Sequence, residues 1–295
     1  MIKFILCMFF TIASLILLIL SNSFGYTIIS TLSGLLFGHL EQKTKSSFQD
    51  LTDTTNWKKS QRKLERGGFI GKDTYIRISF AYLFRIKIDG KYLLVRNERN
   101  TKKFQPVGGV YKMNDSEKNY LSENFNVLDD DKISIDESSR NDYRLRIKNK
   151  YLRKFVKRFD STPNRENLEN LSREFKEELV DKQIINWKKI KYKTCGRHVT
   201  EIIYSKHFQI YELLLADVVE IMLTPKQETD LRKMITNTSE YYCFANEKEI
   251  ASLGVDAKCG LLEETIADHS EKILEINKES LLEIPNAKKE YEVKL

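Results

Sequence analysis

Three glutamates, Glu174, Glu177 and Glu178, fall within five positions of one another in the stretch REFKEEL, directly behind Arg173. On an α-helix they stand at i, i+3 and i+4 and share one face. Clustered carboxylate oxygens are what a hard divalent cation such as Mg²⁺ takes as ligands, alongside waters and the phosphates of a substrate. One of the three is also a candidate general base. Arg173 is placed to bridge Glu177 one turn on and so to orient it. The plain alternative is a solvated helix face, which a chain with 31% charged residues makes readily.

Two further groups have residue types suited to phosphate chemistry. In FQPVGGVYK, Gly108 and Gly109 present backbone N–H groups without a Cβ in the way, although a Gly-Gly pair also serves as an ordinary turn. Arg77, Arg96 and Arg99 are candidate phosphate contacts on or just beyond strands, with surface solubility as the competing role. The stretch YRLRIKNKYLRKFVKRF, residues 143–159, interleaves many cations with Tyr151, Phe155 and Phe159. It reads equally as a phosphate-and-base binder or as an amphipathic segment against an anionic membrane surface.

The elements that must position these residues follow from periodicity. Leu168, Leu171, Phe175 and Leu179 form an apolar stripe that would pin the acidic helix on a sheet. TYIRISFAYLFRIKIDGKYLLVRNER is rich in β-branched and aromatic residues and is broken only by Asp89-Gly90, which predicts two antiparallel strands joined by a tight turn. Residues 114–140 are acidic and polar and read as an irregular insertion. Beyond the acidic helix come strands, a short helix in TPKQETDLRKMI, a strand in YYCFANEKEIASLG and a helix in IADHSEKILEINKESLL. The order predicts an α+β domain, an α/β/α sandwich.

The first forty residues differ from the rest. Phe4 to Leu20 is an unbroken apolar run, SNSFGY is an uncharged break, and Thr27 to Leu40 is apolar again. About 20 such residues cross a bilayer, which the second run reaches if it starts near Phe24. The pair reads as a two-helix transmembrane hairpin; a secretory signal peptide competes, but no convincing cleavage site follows the first run. Lys3 lies before the hairpin and Lys43, Lys45, Lys58 and Lys59 follow it, which places both termini in the cytoplasm. Gly34 and Gly38 form a G-x-x-x-G that permits close helix approach. The expected organisation is two transmembrane helices at 1–42, a partly helical linker at 43–73, and a domain at 74–295 with an insertion at about 114–160.

The formal charge of +7 suits an inner membrane surface or an anionic ligand without choosing between them. Cys7, Cys195, Cys243 and Cys259 have no metal-like spacing and read as reduced, unpaired thiols.

REFKEEL resembles the helical half of the Nudix box, Arg-Glu-apolar-x-Glu-Glu-x-Gly-apolar, and QPVGG resembles the glycine pair that opens it, with Gly109 as the leading glycine. Asp115 falls where that box has its first glutamate. Val180 replaces its second glycine, Asp181 stands at an apolar position, and residues 116–172 fill what is ordinarily a short spacer. With the hairpin, and with NRE (Asn164 to Glu166) ahead of the box, the chain is similar from about residue 74 onward to the SMODS-associated Nudix effectors of bacterial CBASS anti-phage systems.

The resemblance implies a Nudix-like mixed sheet that senses a cyclic oligonucleotide made by a cognate nucleotidyltransferase. It further implies a multi-pass protein of the bacterial inner membrane that homo-oligomerises and disrupts the lipid bilayer, killing the infected cell. No DNA or RNA polymer is expected as a partner. The alternative is a membrane-anchored Nudix hydrolase, in which Glu174, Glu177 and Glu178 hold Mg²⁺ on a nucleoside diphosphate-linked substrate or nucleotide signal. The broken box weighs against hydrolysis.

Overall fold

The computed structural model describes residues 2–52, 55–97, 102–132, 139–237, 239–256, 263–275 and 281–295. Arg99 and Cys259 lie outside them. The chain forms two compact units, Met1–Arg62 and Lys63–Leu295.

In the first unit, α1 (Ile2–Ser23) and α2 (Thr27–Thr52) form a hairpin. Gly25, at φ +71°, turns the chain between them. Thr11 and Thr44 share a hydroxyl–hydroxyl hydrogen bond of 2.9 Å, the Phe4 and Phe48 rings stand 5.7 Å apart, and Gly34 faces Leu18. Gly38 has open space where its Cβ would be.

Among the described residues only one helix, at Phe4–Ser23, is long and apolar enough to cross a membrane. The sequence reading needed α2 to begin near Phe24; it begins at Thr27, because the Gly25 turn takes the preceding residues. Its apolar part therefore ends after about 21 Å, short of the roughly 30 Å hydrocarbon core. The helix then continues past the expected boundary at residue 42 through the exposed Glu41–Lys45 ion pair. A third helix, α3 (Asn56–Arg66), follows within the expected linker.

The second unit is mixed α+β. Its larger sheet is eight-stranded and contains β1 (Tyr75–Arg85), β5 (Gly108–Val110), β6 (Leu128–Asp129), β7 (Arg144–Lys148), β8 (Lys189–Val199), β9 (Ile203–Ser205), β10 (Ile210–Ile221) and β12 (Glu290–Lys294). Its main path runs β12-β8-β10-β1-β7-β6. β1 and β10 pair in parallel from Ile76↔Tyr211 to Arg85↔Glu220, and every other pairing is antiparallel. A four-stranded sheet combines β2 (Lys87–Ile88), β3 (Lys91–Arg96), β4 (Phe104–Gln105) and β11 (Tyr242–Asn246).

Asp89 and Gly90 both take positive φ and make the expected tight turn, but it joins β2 to β3. β1 belongs to the other sheet, because the chain changes sheets at Ile86. The insertion at 114–160 is also regular where it is described. Asn114 caps α4 (Asp115–Phe125), β7 joins the main sheet beside β1, and α5 (Leu152–Ser161) follows. Phe155 and Phe159 of α5 are buried, with Phe159 stacked on Phe80 at 3.7 Å, so these rings serve the core and are closed to bases. The short helix α7 (Pro225–Ile235) forms as expected behind a Thr224–Gln227 capping box. Further on, β11 runs into the short helix α8 (Glu247–Ala251). Among the described residues, the last expected helix is a 3-10 segment at Asp268–Ile273; its residues 276–280 lie outside them.

Alternation along β1 divides the core. Ile76, Ile78, Phe80, Tyr82 and Phe84 face the side carrying α5 and Phe175. On the opposite face, Leu83 joins Tyr92, Leu94, Ala216, Ile273 and Leu274 in a second cluster. Arg85, fully buried, links the layers: its guanidinium donates to the Ile273 and Leu274 carbonyls and to Glu220, at 3.0 Å for the last. Arg85→Leu leaves two buried carbonyls without their donor and is expected to cost about 3–5 kcal/mol, on the order of 10 °C in Tm. A melting temperature within two or three degrees of wild type would show that this tie is dispensable.

Candidate functional site

The acidic segment begins as one α-helical turn, α6 (Arg173–Phe175), and widens into a π-turn at Lys176–Val180. Its apolar stripe packs as expected, with Leu168, Leu171, Phe175 and Leu179 all buried. A π-turn closes its hydrogen bonds at i+5, and through it the three carboxylates stay within electrostatic reach of one another but differ in exposure. Glu174 is largely enclosed, at 17% side-chain exposure, while Glu177 is half exposed at 49%. Glu178 turns inward and accepts the Gly108 N–H at 3.1 Å.

Both glycines are required by close approach. A Cβ on Gly109 would fall 2.0 Å from Glu174 Oε1, and one on Gly108, at φ +155°, would fall 2.2 Å from the Tyr82 carbonyl oxygen. Both belong to β5, paired with β1, instead of a free turn.

Arg173 holds the site together. Its guanidinium donates to Glu174, to Glu166 at 3.2 Å and to the Val110 carbonyl at 3.0 Å; Glu177, the partner expected from spacing, is 3.9 Å away. Glu166 also accepts from the Tyr82 hydroxyl at 3.2 Å and the Lys112 N–H at 3.3 Å. Glu166 thus takes the position beside Arg173 that spacing had offered to Asp115. Asp115 lies at the start of α4, where Asn141 donates to it, because the insertion carries the chain away immediately after β5. The missed signal was in NRE: counting back from Arg173, instead of forward from Gly109, reaches Glu166 across a short spacer.

The two described candidate arginines, Arg77 and Arg96, make separate contacts. Arg77 is buried, paired with Asp130 at 2.8 Å and Glu212 at 3.1 Å beneath the Phe208 ring. Arg96 ends β3 in the smaller sheet and reaches the Glu240 carbonyl at 3.5 Å.

A family model of the SMODS-associated NUDIX domain matches residues 75–274. The chain belongs to this family. No curated protein matches it significantly. The matched span covers β1 through the 3-10 segment, so the SMODS-associated NUDIX domain includes the insertion and both glycine and glutamate halves of the split box.

Electrostatics define what this NUDIX site can hold. Burial and the neighbouring Glu174 charge push the Glu178 carboxyl up to about 8, and burial raises Glu174 against the opposing pull of Arg173. Among the described residues no three His, Cys, Asp or Glu side chains converge as a metal-binding group. The mutually repelling pair Glu174 and Glu178 nevertheless fits Mg²⁺ that completes its shell with waters and a bound phosphate, since one or two carboxylates suffice for such a site.

Because Glu178 titrates higher folded than unfolded, its contribution is complete below about pH 4.5 and is lost as pH rises through about 8. Glu178→Gln, neutral throughout, should match wild type in Tm at pH 5 and exceed it by roughly 10 °C at pH 9. Mg²⁺ should narrow the pH 9 gap by stabilising wild type alone. A pH-independent gap would refute the assignment. Gly108→Ala should destabilise more than Gly109→Ala, since its added methyl meets backbone instead of a movable carboxylate; equal melting curves would contradict that contrast.

Proposed function

We propose that this chain is a membrane effector of a bacterial CBASS anti-phage system. Its NUDIX domain senses a cyclic oligonucleotide made by a cognate nucleotidyltransferase. Binding drives homo-oligomerisation, the N-terminal hairpins assemble in the inner membrane with both termini cytoplasmic, and the bilayer fails. The ligand shifts the protein only by the difference between its affinities for the assembled and resting states.

The observation that carries this reading is the attachment of the matched domain, residues 75–274, to a chain that begins with an apolar helical hairpin. Hydrolysis of a soluble nucleotide has no use for such a hairpin. The box geometry supports the same reading: Arg173 binds Glu174, Glu178 caps the Gly108 N–H, and Val180 stands in place of the second glycine, which suits a rigid scaffold. One observation favours the second reading, a Mg²⁺-dependent pyrophosphohydrolase: Glu174 and Glu178 form a charge-repelling pair that a cation would relieve.

Bacteria expressing the chain together with an active nucleotidyltransferase should admit a membrane-impermeant dye, and those with a catalytically dead synthase should not. Intact membranes with every cyclic nucleotide tested would sink the effector reading. Mg²⁺-dependent phosphate release by purified protein, abolished in the Glu177→Gln, Glu178→Gln double variant, would establish the hydrolase instead.

A further inference from the structure

The two helices of the hairpin fix each other's depth. Thr11 meets Thr44, the Phe4 ring meets the Phe48 ring, and Gly34 faces Leu18, so α1 and α2 lie antiparallel in one register along the seam. Phe4–Ser23 is 20 residues long, about 30 Å, the thickness of a hydrocarbon core. Ile5, Phe9, Ile12, Ile16 and Ile19 are exposed from one end of it to the other, so its whole length calls for acyl chains. Thr44, level with Thr11, then stands about 10 Å inside the cytoplasmic edge of the core, Gln42 about 13 Å inside, and His39 close to mid-bilayer.

The outward face of α2 changes character at that depth. Ile28, Leu32 and Leu35 follow one another at helical spacing and are exposed. The same face continues as His39 and Gln42, flanked by Lys43 and Lys45, all exposed. The hairpin's buried polar side chains are others, Ser14, Ser21 and Ser33, each donating to a carbonyl of its own helix.

A single copy in lipid does not satisfy this face. Glu41 and Lys45 pair at 2.8 Å, which offsets one charge of each sign, but Lys43 makes no ion pair among the described residues. A lysine stem can carry its ammonium up toward the headgroups. Gln42 and His39 have no such reach, and polar side chains at membrane depth almost always turn to a bundle interior or a water-filled cavity. The second half of α2 therefore calls for water at a depth where the matching half of α1 calls for lipid.

We infer that copies of this chain assemble with α1 toward lipid and the His39–Lys45 face of α2 inward, where it lines a water-filled vestibule open to the cytoplasm and reaching mid-bilayer. The inference rests on the effector function proposed above and assigns the lining of its lesion. Beyond His39 the same face is Leu35, Leu32 and Ile28, so the vestibule ends on an apolar constriction. Only about half of the hydrocarbon thickness is then left to breach.

The test is cysteine labelling of the full chain in inside-out membrane vesicles from bacteria with an active nucleotidyltransferase, using a bulky charged maleimide and reading each site by mass spectrometry. Gln42→Cys and Lys43→Cys should react at least about tenfold faster than Phe9→Cys and Ile12→Cys, which bracket their level on α1, because the thiolate is the reactive form and apolar surroundings suppress it. Rapid reaction at all four positions would put this level in the cytoplasm, slow reaction at all four would put α2 in lipid, and either would overturn the vestibule. Lys43→Leu with Lys45→Leu should abolish dye entry, and Lys43→Arg with Lys45→Arg should keep it; undiminished entry in the Leu pair would also overturn the lining. If the Leu pair does not reach the membrane, the labelling contrast decides alone. Each of these failures leaves the effector reading intact as long as wild type admits dye with an active synthase. No dye entry in wild type would overturn that reading and the vestibule with it.

Discussion

The domain is organised around one guanidinium. Arg173 joins the strand that carries the glycines, through the Val110 carbonyl, to the segment that carries the glutamates, through Glu174, and to Glu166 at the end of the insertion. Planar, permanently charged and able to donate in several directions, arginine is the side chain suited to such a junction. Without it, Glu166 and Glu174 would be two enclosed carboxylates with no cation between them. The insertion is tolerated because its two ends are pinned together: the Glu166 N–H returns to the Lys112 carbonyl at 2.8 Å and its carboxylate accepts the Lys112 N–H.

That junction has an electrostatic consequence. The positive charge beside Glu174 is engaged there, and at Glu178 burial and the Glu174 charge outweigh the Gly108 N–H and the attraction of Lys182. The box therefore keeps its acidic chemistry while one of its carboxylates is poised near neutrality. Arg144, on the neighbouring strand β7, pairs with Asp142 at 3.9 Å and lies within electrostatic reach of Glu174.

Much of this was legible in the sequence, and the failures share a cause. The stripe from Leu168 to Leu179, the Asp89-Gly90 turn and the capped helix at Pro225–Ile235 depend on near neighbours in the chain and formed as expected. The role of Glu166, the burial of Arg77 and the departure of β1 to another sheet depend on partners far away in sequence. Periodicity also assumed α-helical phase for REFKEEL, and the π-turn at Lys176–Val180 broke it. The family resemblance supplied what spacing could not, since residues 75–274 match despite a split box.

The parallel pairing of β1 with β10 bears on how the molecule is made. Arg77 and Glu212 meet although they lie 135 positions apart, and the β1–β10 pairing at the middle of the sheet cannot form until β10 has been synthesised. Loop closure over that distance is entropically costly and parallel pairing is slow. The apolar hairpin, by contrast, is complete within the first fifty residues and needs only local contacts. During translation the hairpin leaves the ribosome ahead of the domain, which is then still an open chain. The hairpin can therefore form before the sheet that carries the NUDIX site exists as a folded surface.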